Sequence, residues 1–311
     1  MTPSEDAGAK RKLSPSALVE QANAAYDAGD FSRALELFDE AISSGVDNEV
    51  VHNNRGAALD AVGMYERATE SYREATERSP KYELAWHNLG NCLFSRGLYE
   101  EAADAYRKAS ALNPTRLQNI AGLANSYSKL GRVRRAKAAV KRLLDEGSGE
   151  PSARLTAAEI LLDLGLSHEA SDVCKEHLRL RGDSVEALTM LGTAQHESGD
   201  FAHAVQAFEK ALTMSPNSKE LLNNLGYSLF CAGFLGPALA SFDKALAIDP
   251  GYKHAWYNKG YSLHGAERLN EAVECYRRAL ELDAQDRVLW NNFGNALYNL
   301  GRFGESIPRF V

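Results

Sequence analysis

The sequence predicts an all-α protein, a solenoid of stacked helical hairpins, and three observations support this prediction. First, residues 86–90 (WHNLG) and 290–294 (WNNFG) lie 204 residues apart, which is six periods of 34. Second, small residues recur at two fixed positions of every period. Third, large apolar residues follow a helical spacing, and no segment shows the strict alternation of a half-buried strand.

The period divides the chain into nine units from Pro15 onward, without an insertion or a deletion. The units begin at residues 15, 49, 83, 117, 151, 185, 219, 253 and 287. The ninth unit is truncated after 25 residues, and residues 1–14 are polar and predicted to form a disordered tail. Each unit is long enough for one helical hairpin, which buries its apolar face by stacking on its neighbours.

Positions 4, 7, 8 and 11 of each unit form one face of a predicted first helix. Position 8 is glycine in six units and alanine in three. Glycine inside a helix costs roughly 0.5–1 kcal/mol relative to alanine. Its recurrence therefore indicates a close helix contact that a larger side chain would overpack. Position 15, after this helix, is glycine in every unit except for Glu267, as expected of a left-handed helix end.

A second helix is predicted from positions 20, 24, 27 and 28. Position 20 is alanine in eight units, so positions 8 and 20 are expected to mark the contact between the two helices of a hairpin. Proline at position 32 follows this helix in four units, where the helix must stop. Position 24 supplies bulk in seven units, through Phe38, Tyr72, Tyr106, Phe208, Phe242, Tyr276 and Phe310.

These positions resemble the tetratricopeptide repeat family, whose signature is W-x2-L-G-x2-Y, then A-x3-F-x2-A, then P. The resemblance covers residues 15–311. It implies a right-handed α-α superhelix whose first helices line a concave groove, and a scaffold that binds proteins or peptides and is not an enzyme. The unit 83–116 matches the signature at Trp86, Leu89, Gly90, Ala102, Tyr106, Ala109 and Pro114.

The resemblance places positions 2, 5, 6, 9, 12 and 13 of each first helix in the groove, where they need not be chosen for packing. Asparagine recurs there although it is a poor helix former, and an amide can both donate to and accept from a peptide unit. This asparagine ladder is similar to the one in the superhelical arm of O-linked N-acetylglucosamine transferase. Together with two aromatic anchors, the predicted peptide-binding residues are Asn54, Asn88, Asn91, Asn125, Asn224, Tyr227, Asn258, Tyr261, Asn292 and Asn295.

Two further features of the groove positions bear on the partner. Aromatic and histidine side chains are more frequent in the second half of the chain, so we expect the main partner there. Positions 2, 5 and 6 hold no lysine or arginine in any unit. A C-terminal carboxylate of a chaperone would gain no charge-assisted bond, which disfavours that class of ligand.

Two places depart from the regular repeat. Residues 145–152 (DEGSGEPS) form either a hinge between two arms of the groove or a junction with slightly different packing, and we favour the junction. The ninth unit ends inside its second helix, which leaves Phe310 and Val311 without a covering helix. We therefore expect a fragment of a longer protein, or an end that packs against something, such as a second copy end to end. The alternative function is then a regulatory or substrate-presenting arm of a larger enzyme, such as a glycosyltransferase.

Catalytic, metal and cofactor sites are not predicted. Cys174 and His177, which with His168 could be imagined as metal ligands, lie at core-facing positions and are interpreted as packing variants. The net charge of −7 argues against nucleic acid as a partner. No apolar run is long enough for a membrane span, and four separated cysteines suggest the cytoplasm.

A basic group in the fourth unit is interpreted as a solvated outer face and not as a patch for an acidic partner: Arg132, Arg134, Arg135, Lys137, Lys141 and Arg142.

Overall fold

A computed structural model describes residues 13–302 of the chain. This range contains 17 α-helices and no strand, which confirms the all-α class. The chain divides into two compact units, which we call the N-terminal unit (Met1–Gly149) and the C-terminal unit (Glu150–Val311). The division falls within residues 145–152, but hinge motion at that place stays a prediction.

The N-terminal unit contains four helical hairpins. Within the unit, each helix packs against the one that follows it, and the first helices of successive hairpins also contact one another. The unit is therefore an α-helical solenoid. Its helices are α1 (Pro15–Asp27), α2 (Phe31–Ser43), α3 (Glu49–Ala61), α4 (Tyr65–Arg78), α5 (Glu83–Ser95), α6 (Tyr99–Leu112), α7 (Leu117–Lys129) and α8 (Val133–Glu146).

The C-terminal unit contains four more hairpins and the first helix of a fifth within residues 150–302. Successive helices pack on each other, and so do the first helices α9, α11, α13, α15 and α17. This unit is a solenoid of the same kind. Its helices are α9 (Pro151–Asp163), α10 (Ser167–Arg181), α11 (Val185–Glu197), α12 (Phe201–Met214), α13 (Lys219–Cys231), α14 (Leu235–Ile248), α15 (Lys253–Gly265), α16 (Leu269–Leu282) and α17 (Arg287–Asn299).

The glycine at position 8 lies against the aromatic ring at position 24 of the same hairpin. A Cβ atom added to Gly56 would come within 2.7 Å of the ring of Tyr72, and one added to Gly226 within 2.7 Å of Phe242. The close approach predicted from sequence is therefore present, but the nearest neighbour of the glycine is the ring at position 24 and not the alanine at position 20, which is buried. Burying the ring offsets the helix-forming cost of the glycine.

The turn inside each hairpin has a left-handed residue at position 15. Glycine supplies it in seven of the eight hairpins, for example at Gly233, where φ is 89°, and again at Gly301 after α17. Glu267 takes the same conformation with a φ of 60°, and within the described range it is the only residue other than glycine with positive φ. A side chain in this region of φ costs roughly 1–2 kcal/mol. The turn at Glu267 is therefore formed against local preference.

Tryptophan at position 4 closes the connection between hairpins. The indole Nε1 of Trp86 donates to the backbone oxygen of Pro80 at 3.0 Å. Trp256 makes the same bond to Pro250 at 2.9 Å, and Trp290 makes it to Ala284 at 2.8 Å. Because the acceptor stands six residues earlier in each case, the indole holds the preceding turn onto the first helix.

Two sequence predictions concern the ends of the chain. The predicted disordered tail, residues 1–14, is described only at Leu13 and Ser14, and the Ser14 side chain caps α1 by accepting from the backbone N–H of Ala17 at 3.3 Å. The predicted second helix of the ninth unit, with Phe310 and the uncovered end, lies outside the described residues. End-to-end self-association there stays a prediction.

Candidate functional site

The asparagines of the N-terminal unit bond to each other from one hairpin to the next. The Nδ2 group of Asn88 on α5 donates to Oδ1 of Asn53 on α3 at 2.9 Å. Asn53 in turn donates to the neighbouring Asn54 at 3.1 Å, and Asn54 donates to Asn23 on α1 at 2.9 Å. We call this set, with its counterpart in the C-terminal unit, the amide ladder. It connects three successive first helices.

The C-terminal unit repeats the arrangement at the same positions. Asn258 on α15 donates to Oδ1 of Asn223 on α13 at 2.9 Å, and Asn223 donates to Asn224 over a longer 3.4 Å. In the next hairpin Asn292 donates to the hydroxyl of Tyr257 at 3.0 Å, so a phenol replaces the amide. The ladder therefore links α13, α15 and α17.

The ladder corrects one sequence expectation. Position 5 was expected to face an open groove, but Asn53 is only 2% exposed, Asn223 is 6% exposed, and His87 is also buried. The first helix of the following hairpin covers these side chains, because first helices stack side by side. Position 5 is therefore chosen for packing, and its amides serve the contact between hairpins.

Three of the predicted amides have an Nδ2 donor without an acceptor within residues 13–302. In residues 13–302, Asn224 accepts from Asn223 but its Nδ2 group has no acceptor, because position 5 of the preceding hairpin is Thr189. The Thr189 hydroxyl donates instead to the backbone of its own helix, to Val185 at 2.6 Å. Asn125 and Asn295 also lack a side-chain partner within the described range, and Asn295 is exposed. These amides can bond to a ligand without breaking a contact in the protein.

Asn91, another predicted binding residue, belongs to a closed polar network of the N-terminal unit. Its Oδ1 accepts from the Tyr106 hydroxyl at 2.6 Å, and its Nδ2 donates to His87 Nε2 at 3.1 Å. The other ring nitrogen of His87 donates to Asn119 Oδ1 at 2.7 Å, and Asn119 donates to Glu83 at 2.6 Å. The network ends where Arg116 pairs with Glu83 at 3.0 Å. Each of these groups has a hydrogen-bond partner within the protein, and His87 and Asn119 are buried while Asn91 is exposed.

The network fixes the state of His87. With Nδ1 donating and Nε2 accepting, the imidazole is neutral. Burial is the main cause that lowers the pKa of His87 below its ordinary value, and the bond to Asn119 opposes this in part. Burial also raises the pKa of Tyr106 far above its usual range. Neither group is set up for proton transfer at neutral pH.

Glycine interrupts the ladder after α5. Position 6 of α7 is Gly122, and a Cβ atom there would lie 2.5 Å from the ring of Tyr106. The ring occupies this space because its hydroxyl reaches Asn91. The sequence shows the gap in the asparagine column, but its cause is visible only in the structure.

Aromatic side chains form a continuous row on the first helices of the C-terminal unit. The ring of His196 on α11 lies 5.0 Å from that of Tyr227 on α13, and Tyr227 lies 6.2 Å from Tyr261 on α15. Phe230 and Tyr257 flank Tyr261 at 6.0 and 6.3 Å. We call these five residues the aromatic stripe. Tyr261 is 40% exposed at its centre, and the other four rings are partly buried.

The stripe brings together both predicted anchors, Tyr227 and Tyr261, and extends beyond them. Tyr257, at position 5 of its unit, was not among the predicted binding residues. Phe94, a groove aromatic of the N-terminal unit, packs edge-on against Tyr99 of its own hairpin at 5.1 Å. The aromatic row spanning several hairpins is therefore a feature of the C-terminal unit.

A cleft lies beside the amide ladder in the N-terminal unit. It has a volume of about 290 Å³ and is lined by Asn23, Tyr26, Asp27, Asn54 and Ala57. Its walls come from α1 and α3 and carry one carboxylate. The cleft is large enough for one side chain of a ligand.

The basic group on α8 is partly engaged within the protein. Arg132 pairs with Glu100 at 2.7 Å, and the Arg135 guanidinium lies 5.7 Å from the Tyr127 ring centre. Arg142 donates to the backbone oxygens of Ser110 and Pro114, each at 3.4 Å. These contacts favour the interpretation of a structural and solvated face.

Two of the three residues considered as metal ligands are core residues, and the third, His168, is exposed. Cys174 and His177 are buried in the C-terminal unit, and burial raises the pKa of the Cys174 thiol to about 12. Within residues 13–302 no group of three or more histidine, cysteine or carboxylate side chains is placed to hold a metal ion.

No helix of that range is both long enough and apolar enough to cross a membrane.

Comparison with known proteins places the repeat in a family. Family models described as tetratricopeptide repeat match residues 84–116 and 254–286, residues 51–82, and residues 19–61, 122–185, 175–219 and 189–253. A search of curated proteins gave no match. The matched segments cover both units.

Two solved structures are similar in fold. One is a tetratricopeptide repeat protein from Parabacteroides merdae, with a TM-score of 0.51 and 15% identity over 91% of this chain and 98% of that one. The other is the APC/C hetero-tetramer Cut9–Hcn1, with a TM-score of 0.54 and 16% identity over 93% of this chain and 57% of the matched one. At these identities the likeness shows the fold alone.

Proposed function

The chain belongs to the tetratricopeptide repeat family, whose repeats indicate a protein–protein interaction scaffold, and we propose that it binds an extended polypeptide along the first helices of its C-terminal unit. The observation that carries this proposal is the aromatic stripe. Its rings come from three successive hairpins, so an extended ligand can contact all of them at once. Rigid aromatic side chains are frequent anchors of protein interfaces.

The amide of Asn224 supports the same site. Its Nδ2 group has no acceptor within the described range, and it precedes Tyr227 by three residues on α13, so both lie on one face of the helix. A backbone carbonyl of the ligand can accept from this amide while its side chains contact the rings. A hydrogen bond of this kind contributes a net of about 0.5–1.5 kcal/mol.

This proposal changes the role of the asparagine ladder expected from sequence. Asn258 and Asn292 donate to neighbouring hairpins, so they hold the first helices in place and are not reserved for the ligand. In our proposal Asn224 binds the polypeptide backbone, and the aromatic stripe contributes most of the affinity.

The test is the affinity of a selected peptide for matched tyrosine variants. Random 12-residue peptides displayed on phage are selected on the full chain, and the tightest is made synthetically with a fluorescent label. Fluorescence anisotropy then gives its Kd for the wild type, Tyr261→Ala and Tyr65→Ala. Tyr65 is the control because it is also 40% exposed but lies on the second helix α4.

We expect Tyr261→Ala to weaken binding at least about tenfold, as is typical for the loss of a central aromatic anchor. The Kd of Tyr65→Ala should equal that of the wild type. Circular dichroism shows whether both variants remain folded. Equal affinity of the wild type and a folded Tyr261→Ala variant would contradict the proposed site.

A further inference from the structure

We infer that the bound polypeptide carries a lysine or arginine and, several residues away along its chain, an aromatic or large apolar residue, with the basic residue over α9 and α11 and the apolar one over α13 and α15. The inference deepens the proposed function and rests on it. It follows from the charges that accompany the aromatic stripe and from their uneven distribution along the C-terminal unit.

Carboxylates and aromatic rings occupy different first helices of this unit. Glu159 on α9 and Glu186 and Glu197 on α11 are exposed at the positions assigned to the ligand-facing side. On α13, α15 and α17 the ligand-facing positions carry Tyr227, Tyr261 and other uncharged side chains. Glu220, at the start of α13, is the only carboxylate at these positions. One end of the face is therefore acidic and the other is apolar and aromatic.

The lysines on these helices do not neutralise the acidic end. Lys219 pairs with Asp249 at 2.6 Å, and Lys259 pairs with Asp243 at 2.5 Å. Lys253 lies between Asp283 and Asp286, at 2.8 and 3.0 Å. Each lysine is thus held by a carboxylate of a second helix or of a turn.

The exposed carboxylates lack matching cations. Glu159 and Glu186 make no ion pair within residues 13–302, and Glu197 accepts only from the Ser167 hydroxyl, at 2.9 Å. His196, beside Glu197, does not supply a stable positive charge, because burial lowers its pKa. A cationic side chain of the ligand would pair with these carboxylates, and its stem would lie against the neighbouring rings.

The spacing of the hairpins sets the spacing of the ligand residues. Packed helices lie roughly 8–10 Å apart, and an extended chain advances about 3.3 Å per residue. One hairpin then corresponds to about three ligand residues. From α11 to α15 there are two steps, so we expect the basic residue about six positions from the residue that contacts Tyr261.

The experiment uses the full chain and the phage-selected peptide described above. Its lysine and arginine residues are replaced by glutamine, and both peptides are titrated against the wild type, Glu159→Gln/Glu197→Gln, and Glu209→Gln. Glu209 is an exposed carboxylate on the second helix α12 without an ion pair in the described part of the chain, which makes it the matched control. Titrations are made at low and at moderate salt.

We expect the selected peptides to contain more basic than acidic residues. The double glutamate variant should bind the basic peptide about three- to tenfold more weakly at low salt, since exposed ion pairs are individually weak. The effect should shrink at higher salt and vanish for the glutamine peptide. Glu209→Gln should match the wild type with both peptides.

Selected peptides without basic residues, or equal loss of both peptides on Glu159→Gln/Glu197→Gln, would overturn the inference. In that case the proposed function would still hold if Tyr261→Ala bound the peptide more weakly than the wild type. If Tyr261→Ala also had no effect, the proposed function itself would fail. The two failures are therefore distinguishable in one set of titrations.

Discussion

The two units use the same repeat positions of their first helices for different purposes. In the N-terminal unit, His87, Asn91 and Asn119 belong to a closed hydrogen-bonded network. In the C-terminal unit the equivalent region holds a row of partly exposed rings centred on Tyr261 and an amide, Asn224, with an unused donor. Polar groups satisfied inside a protein stabilise it, and unsatisfied ones can bind a partner. In our proposal, this difference gives the first face a role in stability and the second a role in recognition.

The largest effect should come from the closed network. Asn119→Ala removes partners of both His87 and Glu83, which are left partly or fully buried, so we expect a loss of about 2–3 kcal/mol in the free energy of unfolding. Urea unfolding followed by circular dichroism measures it. Asn125→Ala on the same helix, at a side chain without a hydrogen-bond partner in residues 13–302, should change stability by less than about 0.5 kcal/mol. Equal losses in the two variants would mean that the network does not stabilise the unit.

Within the C-terminal unit, two asparagines should respond in opposite ways. Asn258→Ala leaves the buried Oδ1 of Asn223 without its donor and should cost about 1–2 kcal/mol of stability. Asn224→Ala should cost less than about 0.5 kcal/mol but weaken the selected peptide about two- to tenfold. Thermal unfolding and fluorescence anisotropy of both variants check this. If Asn258→Ala weakened peptide binding and Asn224→Ala did not, the ligand-binding role that we propose for Asn224 would be wrong.

The strained turn after α15 offers a smaller, stabilising change. Glu267→Gly removes the cost of a side chain at φ 60°. Because glycine also makes the unfolded chain more flexible, we expect the free energy of unfolding to rise by only about 0.5–1 kcal/mol. The converse change at the preceding hairpin, Gly233→Glu, should destabilise by about 1–2 kcal/mol. Thermal unfolding compares the two, and a lower melting temperature for Glu267→Gly would contradict the strain.

The smallest effect that we expect is a pH dependence of stability. Burial lowers the pKa of His87, His177 and His196 below the ordinary value of 6.5. As pH falls through about 6.5, the unfolded chain therefore takes up protons before the folded one does, and the free energy of unfolding falls. Urea midpoints between pH 7.5 and pH 5.5 should decrease, and the slope should be shallower in His87→Gln. An unchanged slope in that variant would show that His87 does not contribute.

Much of the fold could be predicted from the period of the sequence. The recurrence of glycine at position 8 predicted a close helix contact there, but it assigned the contact to position 20; the ring at position 24, as in Gly56 with Tyr72, is seen only in the structure. The left-handed residue at position 15 was equally predictable, including the exception at Glu267. Such features repeat within one hairpin, so every unit carries the signal.

The candidate site was less predictable, because it depends on how one hairpin is rotated on the next. Asn88 reaches Asn53, 35 residues earlier, and Asn258 reaches Asn223 over the same interval. An asparagine at position 5 followed by one at position 6 of the next unit is a signal that a search across units could have used. Asn119, at position 3, gave no periodic signal, and its role follows only from the side chains around it.

The tryptophans at position 4 give the molecule a built-in optical probe. Trp86, Trp256 and Trp290 each tie their indole N–H to the turn that precedes their hairpin. If two neighbouring hairpins separate, the indole between them loses its acceptor and becomes exposed to water. Its fluorescence emission should then shift to longer wavelength. Because one reporter lies in the N-terminal unit and two in the C-terminal unit, single Trp→Phe variants would show which end of the array loosens first.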